Sequence, residues 1–260
     1  MITLQSRPLV ILGAGYTSRF LYPLARIQGW RTYATSRTPA THLTHIDRED
    51  RIEFDLMREE TWNNIPQDAH LIWCFPAIPK NVVDHFIQQY AQHDGRLLFL
   101  GSTSAYGPCQ HSLVDENTPV DSSLPRVESE EYFRKTYGAI ILRLAGLYGP
   151  GRHVLDWIRK GKVKNTEKYV NLIHIEDVAA ICLAALRKAK TGDIYVVSDG
   201  NPRQWSEIFS VASKRWGLTC PPLSPPKNSG KRLNIGKLET RLQYSFIHSD
   251  LYEAMAIIEK

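Results

Sequence analysis

One stretch constrains this chain more than any other. An apolar run of strand length, Leu9–Leu12, stops at Gly13-Ala14-Gly15, and apolar residues then recur at helical spacing at Phe20, Leu21, Leu24 and Ile27. Strand, glycine turn and helix in that order form the context that a dinucleotide-binding turn requires. Gly13 permits the tight turn, and Gly15 lets the backbone and the helix N-terminus approach a pyrophosphate. Ser18 takes the third position of G-x-G-x-x-G, a small residue where helix and strand pack closely; Tyr16 and Thr17 complete the turn. About twenty residues on, NAD binders carry an acid for the ribose 2′-hydroxyl. Here the segment reads Thr35-Ser36-Arg37, with no carboxylate before Asp47. A hydroxyl and a guanidinium suit a 2′-phosphate, so the cofactor expected is NADP, with NAD as the alternative.

The same alternation continues. Strands are expected at 31–35, 52–55, 71–74, 97–101, Ile140–Leu144 and Ile194–Val197, with helical patterns between them, as at Val82, Val83, Phe86 and Ile87. Such alternation predicts an α/β fold, a Rossmann-type doubly wound parallel sheet. Residues 1–150 are read as the dinucleotide-binding domain. Residues 151–260 are read as a small C-terminal substrate lobe that shares strands and packing with it. In the lobe, helices are expected at 154–158, 177–188, Trp205–Trp216, 233–242 and 249–258, with a stiff loop at Pro221, Pro222, Pro225 and Pro226.

Bulk properties exclude some classes. The 260 residues carry a net charge of +5, but the basic residues are scattered without a run, which argues against nucleic acid. No apolar stretch approaches about 18 residues, so no membrane span is expected. Cys74, Cys109, Cys182 and Cys220 lie far apart without C-x-x-C, and histidines such as His42, His93, His111 and His248 show no metal-ligand spacing. No metal, a reducing compartment and a cytoplasmic location are the expectation.

Three further segments carry chemistry: Gly101-Ser102-Thr103-Ser104-Ala105-Tyr106-Gly107 at the end of the fifth strand, Arg143-Leu144-Ala145-Gly146-Leu147-Tyr148-Gly149-Pro150-Gly151-Arg152, and Asn171-Leu172-Ile173-His174-Ile175-Glu176-Asp177. With the glycine turn, they make the chain resemble the extended or atypical short-chain dehydrogenase/reductases, the NAD-dependent epimerase/dehydratase superfamily, over nearly its whole length. Gly230-Lys231-Arg232 adds to the likeness. The resemblance implies that Gly13, Gly15 and Ser18 hold the pyrophosphate and Arg37 the 2′-phosphate. It places Asp55 and Leu56 along the adenine, Phe75 and Pro76 beside the ribose, and Leu144 at the nicotinamide. Ser102 matches the catalytic serine, with Ser104 two residues on. His174 and Asp177 begin a helix, in a structural role or in contact with substrate. A homodimer would form through the helices around 82–90 and ending near Tyr137.

One departure outweighs these matches. The family's acid/base pair is Y-x-x-x-K on a helix, where the ammonium lowers the phenol pKa. By register the tyrosine position falls on Ser122 and the lysine position on Arg126. Arg126 can fix a hydroxyl but is no tunable base. Tyr106, Tyr148 or water remain as proton donors, and Tyr132 reads as a packing residue. The reading is an NADP-preferring oxidoreductase or epimerase-like enzyme acting on a small polar substrate. Its alternative is a non-catalytic NADP-binding sensor of the same fold.

Overall fold

The computed structural model describes residues 6–90, 95–107 and 113–259. Cys109, His93 and His111 lie outside them. Thirteen strands occur among the described residues. Seven of them form one parallel sheet: β1 (Leu9–Leu12), β2 (Thr32–Ser36), β3 (Arg51–Glu53), β4 (His70–Trp73), β5 (Leu97–Ser102), β7 (Ile140–Leu144) and β11 (Ile194–Val197). Their order is β11-β7-β5-β4-β1-β2-β3, the doubly wound arrangement in which the chain reverses direction beside β1. The other strands are pairs: β8 (Gly146–Tyr148) with β10 (Leu172–His174), β9 (Tyr169–Val170) with β12 (Arg203–Gln204), and β6 (Leu113–Val114) with β13 (Arg232–Leu233).

Alternate residues of β1 serve two cores. Leu9 and Ile11 face one layer, packed with Leu21 and Ala25 of α1 (Ser18–Ile27) and with Val178, Ile181 and Cys182 of α6 (Ile175–Lys188). Val10 and Leu12 face the other. There they meet Val83, Phe86 and Ile87 of α3 (Lys80–Tyr90) and Phe133 of α4 (Pro125–Tyr137). Burial on both faces explains the unbroken apolar runs from which these strands were legible. Between β2 and β3 lies α2 (Pro39–His42), a single turn with proline at its start.

A third core unites Tyr148 and Leu172 with α5 (Val154–Arg159), α7 (Trp205–Trp216) and α8 (Leu251–Glu259), including Leu155, Phe209 and Met255. Residues 151–260 are not set apart from the sheet, because α6 packs on α1 and β11 pairs with β7 inside it. The helix expected at 233–242 is a strand residue followed by a π-helical turn, Leu238–Leu242. Leu233 is drawn into the β13–β6 pairing, and its N–H donates to Asn171 Oδ1 at 3.0 Å. Asp250 starts α8 by accepting from the Tyr252 N–H at 2.7 Å. Helix α6 begins two residues before position 177, because His174 Nδ1 accepts the Glu176 N–H at 3.3 Å. Among the described residues no helix is long and apolar enough to cross a membrane.

Candidate functional site

All seven strands of the parallel sheet end on one edge, and the predicted site residues cluster there. Beside the glycine turn is a cavity of about 460 Å³ walled by Gly13, Ser36, Arg37, Asp55, Leu56 and Phe75 among others. Six residues predicted at four strand ends thus meet in one space. Gly13 has φ +110°, and a Cβ on it would lie 3.1 Å from the Phe75 ring; its N–H donates to Thr35 Oγ1 at 3.0 Å. Thr35, absent from the sequence prediction, therefore locks the turn to β2. Gly15 differs. Its backbone needs no left-handed angle, and a Cβ there would find no atom within 4 Å. A glycine facing open space at the start of α1 fits a pyrophosphate lying against the turn. Arg37 is exposed on the cavity wall and has no partner among the described residues. These residues fit a nicotinamide dinucleotide.

Several predicted residues stand elsewhere. Ser18 is fully buried and donates to the Gly15 carbonyl at 2.7 Å, so its side chain packs the turn and does not hold a pyrophosphate. Thr17 is buried as well. Tyr16 donates to the Pro150 carbonyl at 3.0 Å and lies under Arg152, 4.6 Å from its ring centroid. It clasps the glycine turn to the loop after β8, and burial pushes its phenol up to about 12. Pro76 is exposed beyond the cavity lining, while Leu144 closes β7 and is nearly buried.

At the end of β5, Ser102 Oγ and Ser104 Oγ are 2.9 Å apart, and Ser104 N–H turns back to Ser102 Oγ at 3.2 Å. Arg126 Nη2 donates to Ser104 Oγ at 2.6 Å. The residue in the lysine position thus does reach the serines. Ser122 does not follow it: α4 begins at Pro125, with Leu124 extended before it, so position 122 lies in a turn and shares no helix face with Arg126. Proline at the first helical position sets that boundary. Tyr106, one of the proton donors left open by the sequence, is buried; its hydroxyl accepts from Arg143 Nη1 at 3.2 Å, and burial pushes its phenol up. Tyr148 is wholly buried and is raised further by the same cause. Neither phenol is placed to serve a substrate. Tyr132 packs edge-on against Phe133 and Tyr137, as a packing residue should.

Behind Arg126 lies Glu130, which sequence reasoning missed. It is 4% exposed, with Oε1 3.9 Å from Arg126 Nη1 and Oε2 without a hydrogen-bond partner. It presses on Gly101, where a Cβ would come within 2.8 Å of Oε2. Burial pushes its carboxyl up to about 7, outweighing the lowering pull of Arg126 and Arg143.

The Asn171–Asp177 motif fastens the tail. Asn171 Nδ2 donates to the Lys231 carbonyl at 2.8 Å. Asp177 accepts from Tyr244 Oη and Ile247 N–H, each at 2.7 Å, and from His248 N–H at 3.1 Å. Lys231 in turn donates to the carbonyls of Thr103 and Gly107 at 2.7 and 2.9 Å, bracing the serine turn. Lys231 and Asn171 line a second cavity of about 440 Å³ together with Ser104, Lys168 and Asn228. Among the described residues, His174, Glu176 and His248 are the group whose ligand atoms lie close enough, within 4.8 Å, to share a metal ion. His174 Nδ1 is engaged in the helix cap, and Glu176 Oε2 bonds His248 Nε2 at 2.7 Å. The positive end of α6 also disfavours a cation there. Burial, then His248, lowers the His174 pKa to about 4, which keeps the capping ring neutral.

Comparison with known proteins agrees with this architecture. Residues 76–198 match the model of the NAD dependent epimerase/dehydratase family. The chain is 29% identical to Protein YeeZ of Escherichia coli K12 over 247 residues, 86% of this chain and 89% of that one. Its fold is shared with a putative NAD-dependent epimerase/dehydratase from Methylobacillus flagellatus (TM-score 0.80, 23% identity, 97% of both chains). It is shared too with the UDP-glucose 4-epimerase of Thermotoga maritima (TM-score 0.75, 15% identity, 97% of both chains).

Proposed function

We propose that this chain, an extended short-chain dehydrogenase/reductase-like protein, is an oxidoreductase or epimerase-like enzyme that prefers NADP and acts on a small polar substrate by hydride transfer. The observation that carries this reading is an alignment along one sheet edge. Arg37 follows β2, Gly13 follows β1, Phe75 follows β4, Ser102 closes β5 and Leu144 closes β7, in the spatial order of the strands. Three strand spacings, roughly 14 Å, separate the Arg37 strand from the Ser102 strand. Ligands of such sheets lie across that crevice.

When bound there, a nicotinamide dinucleotide supplies the hydride donor or acceptor. The turn at Gly13 and Gly15 holds the pyrophosphate, Ser36 and Arg37 the 2′-phosphate, and Asp55 with Leu56 borders the adenine. At the other end the polarity of the hydrogen bonds matters. A guanidinium only donates, so Ser104 Oγ accepts from Arg126 and sends its own proton to Ser102 Oγ or to a substrate oxygen. Ser102 is then free to donate outward. The pair orients and polarises a carbonyl or carbinol oxygen, and proton exchange passes through the hydroxyls or water.

The lack of a phenol at position 122 favours a second reading, a non-catalytic NADP-binding sensor. The test that separates them is consumption of NADPH by the purified protein against a panel of aldehydes, ketones and nucleotide sugars. Turnover that falls in Ser104→Ala supports the enzyme. Tight NADPH binding with no turnover of any member supports the sensor.

A further inference from the structure

We infer that His42 is a recognition residue for the 2′-phosphate of the bound dinucleotide, reading it together with Arg37 and Ser36. This rests on the NADP reading above and adds a group to it. His42 ends α2 and walls the same cavity as Ser36 and Arg37. Its Nδ1 lies 3.0 Å from Ser36 Oγ and 3.1 Å from Thr38 Oγ1. Ser36 Oγ already accepts the Thr38 N–H at 3.1 Å, which leaves its hydroxyl proton to donate. With the Ser36 hydroxyl donating to Nδ1, the neutral ring carries its proton on Nε2. No described residue takes that Nε2–H, so a donor is held in the wall of the cavity beside a free guanidinium.

Two hydroxyls meet at the same Nδ1 and hold the ring in place. Protonated, the ring turns Nδ1 into a donor toward the same two oxygens and adds a positive charge facing the cavity. Imidazole is the side chain that takes up a proton in the physiological range, and a phosphate dianion favours the charged form. The other charged groups nearby do not compete for it. Arg37 and Asp55 share the cavity wall. Of the charges on β3, against which α2 packs, Arg51 is held by the Ile46 carbonyl at 2.8 Å and Glu53 by Arg58 at 3.1 Å. The side chain thus gains on a phosphomonoester a charge-assisted partner that an unphosphorylated ribose lacks.

The test is calorimetric binding of NADPH and NADH to the wild type, His42→Asn and Arg37→Ala, repeated in buffers of different ionisation enthalpy. Asparagine keeps an acceptor where Nδ1 sits, so Ser36 and Thr38 stay bonded, but it lacks Nε2. His42→Asn should weaken NADPH by about tenfold, the scale of one charge-assisted hydrogen bond, and leave NADH within about twofold. It should also lose proton uptake that accompanies NADPH binding in the wild type. Unchanged NADPH affinity and proton linkage in His42→Asn, with preference lost in Arg37→Ala, would overturn the role of His42 while the NADP reading stands. Equal NADPH and NADH affinities in the wild type would overturn both.

Discussion

Arg126 occupies the position from which a lysine would tune a tyrosine, and donates instead to Ser104 Oγ at 2.6 Å. The contact couples α4 to the end of β5 without any phenol between them. Removing one positioned polar group at a reacting oxygen costs on the order of 10²-fold in rate. Ser104→Ala and Arg126→Ala should each lower single-turnover hydride transfer by about that factor, while Ser122→Ala stays within a few-fold. Equal losses in Ser122→Ala and Ser104→Ala would discard the serine assignment. Because Pro125 starts the helix after position 122, the double change Ser122→Tyr with Arg126→Lys should not rebuild the pair and should behave like Arg126→Lys alone.

The two glycines of the turn should separate binding from folding. Gly15→Val needs no left-handed backbone angle and its Cβ meets no protein atom within 4 Å, so its melting temperature should stay near wild type while NADPH binding disappears. Gly13→Val combines a φ of +110° with contact on Phe75. It should destabilise the fold itself, by about 1–3 kcal/mol, as read from urea unfolding. A Gly15→Val protein that binds NADPH normally would remove the turn from the site.

Glu130 makes stability depend on pH in an uncommon direction. Its carboxyl titrates near 7 in the folded protein against an ordinary 4.5. Between those values the folded chain binds more protons than the unfolded one, so stability falls as pH rises. The contribution is fully present below about pH 4.5 and lost above about pH 7, on the order of 3 kcal/mol in all. Glu130→Gln should match the wild type in urea unfolding at pH 5 and exceed it at pH 8. A variant less stable at pH 8 would mean that Glu130 is held as a well-paired carboxylate.

Asp177 is wholly buried and accepts three hydrogen bonds from residues 244–248. Asp177→Ala should cost about 3 kcal/mol, because it strands two backbone N–H groups and a phenol. Faster proteolysis around 244–248 should accompany the loss. Unchanged proteolysis would show that the tail is held by other contacts.

The cofactor half of the site was legible because its residues sit at strand ends, where apolar runs stop and local turn chemistry begins. The substrate half was less so. Tyr106 stood open as a proton donor because it follows the two serines, but Arg143, far along the chain, holds its hydroxyl inside. The helix register between Ser122 and Arg126 was misread although Pro125 stood between them and marks a helix start. Thr38-Pro39 carries the same signal for α2, and reading it would have brought His42 round to Ser36. Glu130 had no signal at all: one acid among several in α4 is buried only because β5 offers glycine at position 101.

The ammonium of Lys231 holds the carbonyls on either side of the serine turn, and it comes from 128 and 124 positions further along the chain. A nascent chain lacking it already has the strands that wall the cofactor cavity, yet its serine turn is still unbraced. Gly230, whose φ of +73° and crowding by Tyr169 admit no side chain, sets the direction from which that lysine arrives. The shape of the serine turn thus waits on chain made after every strand of the parallel sheet, and a chain cut before position 230 would keep that sheet with the turn unbraced.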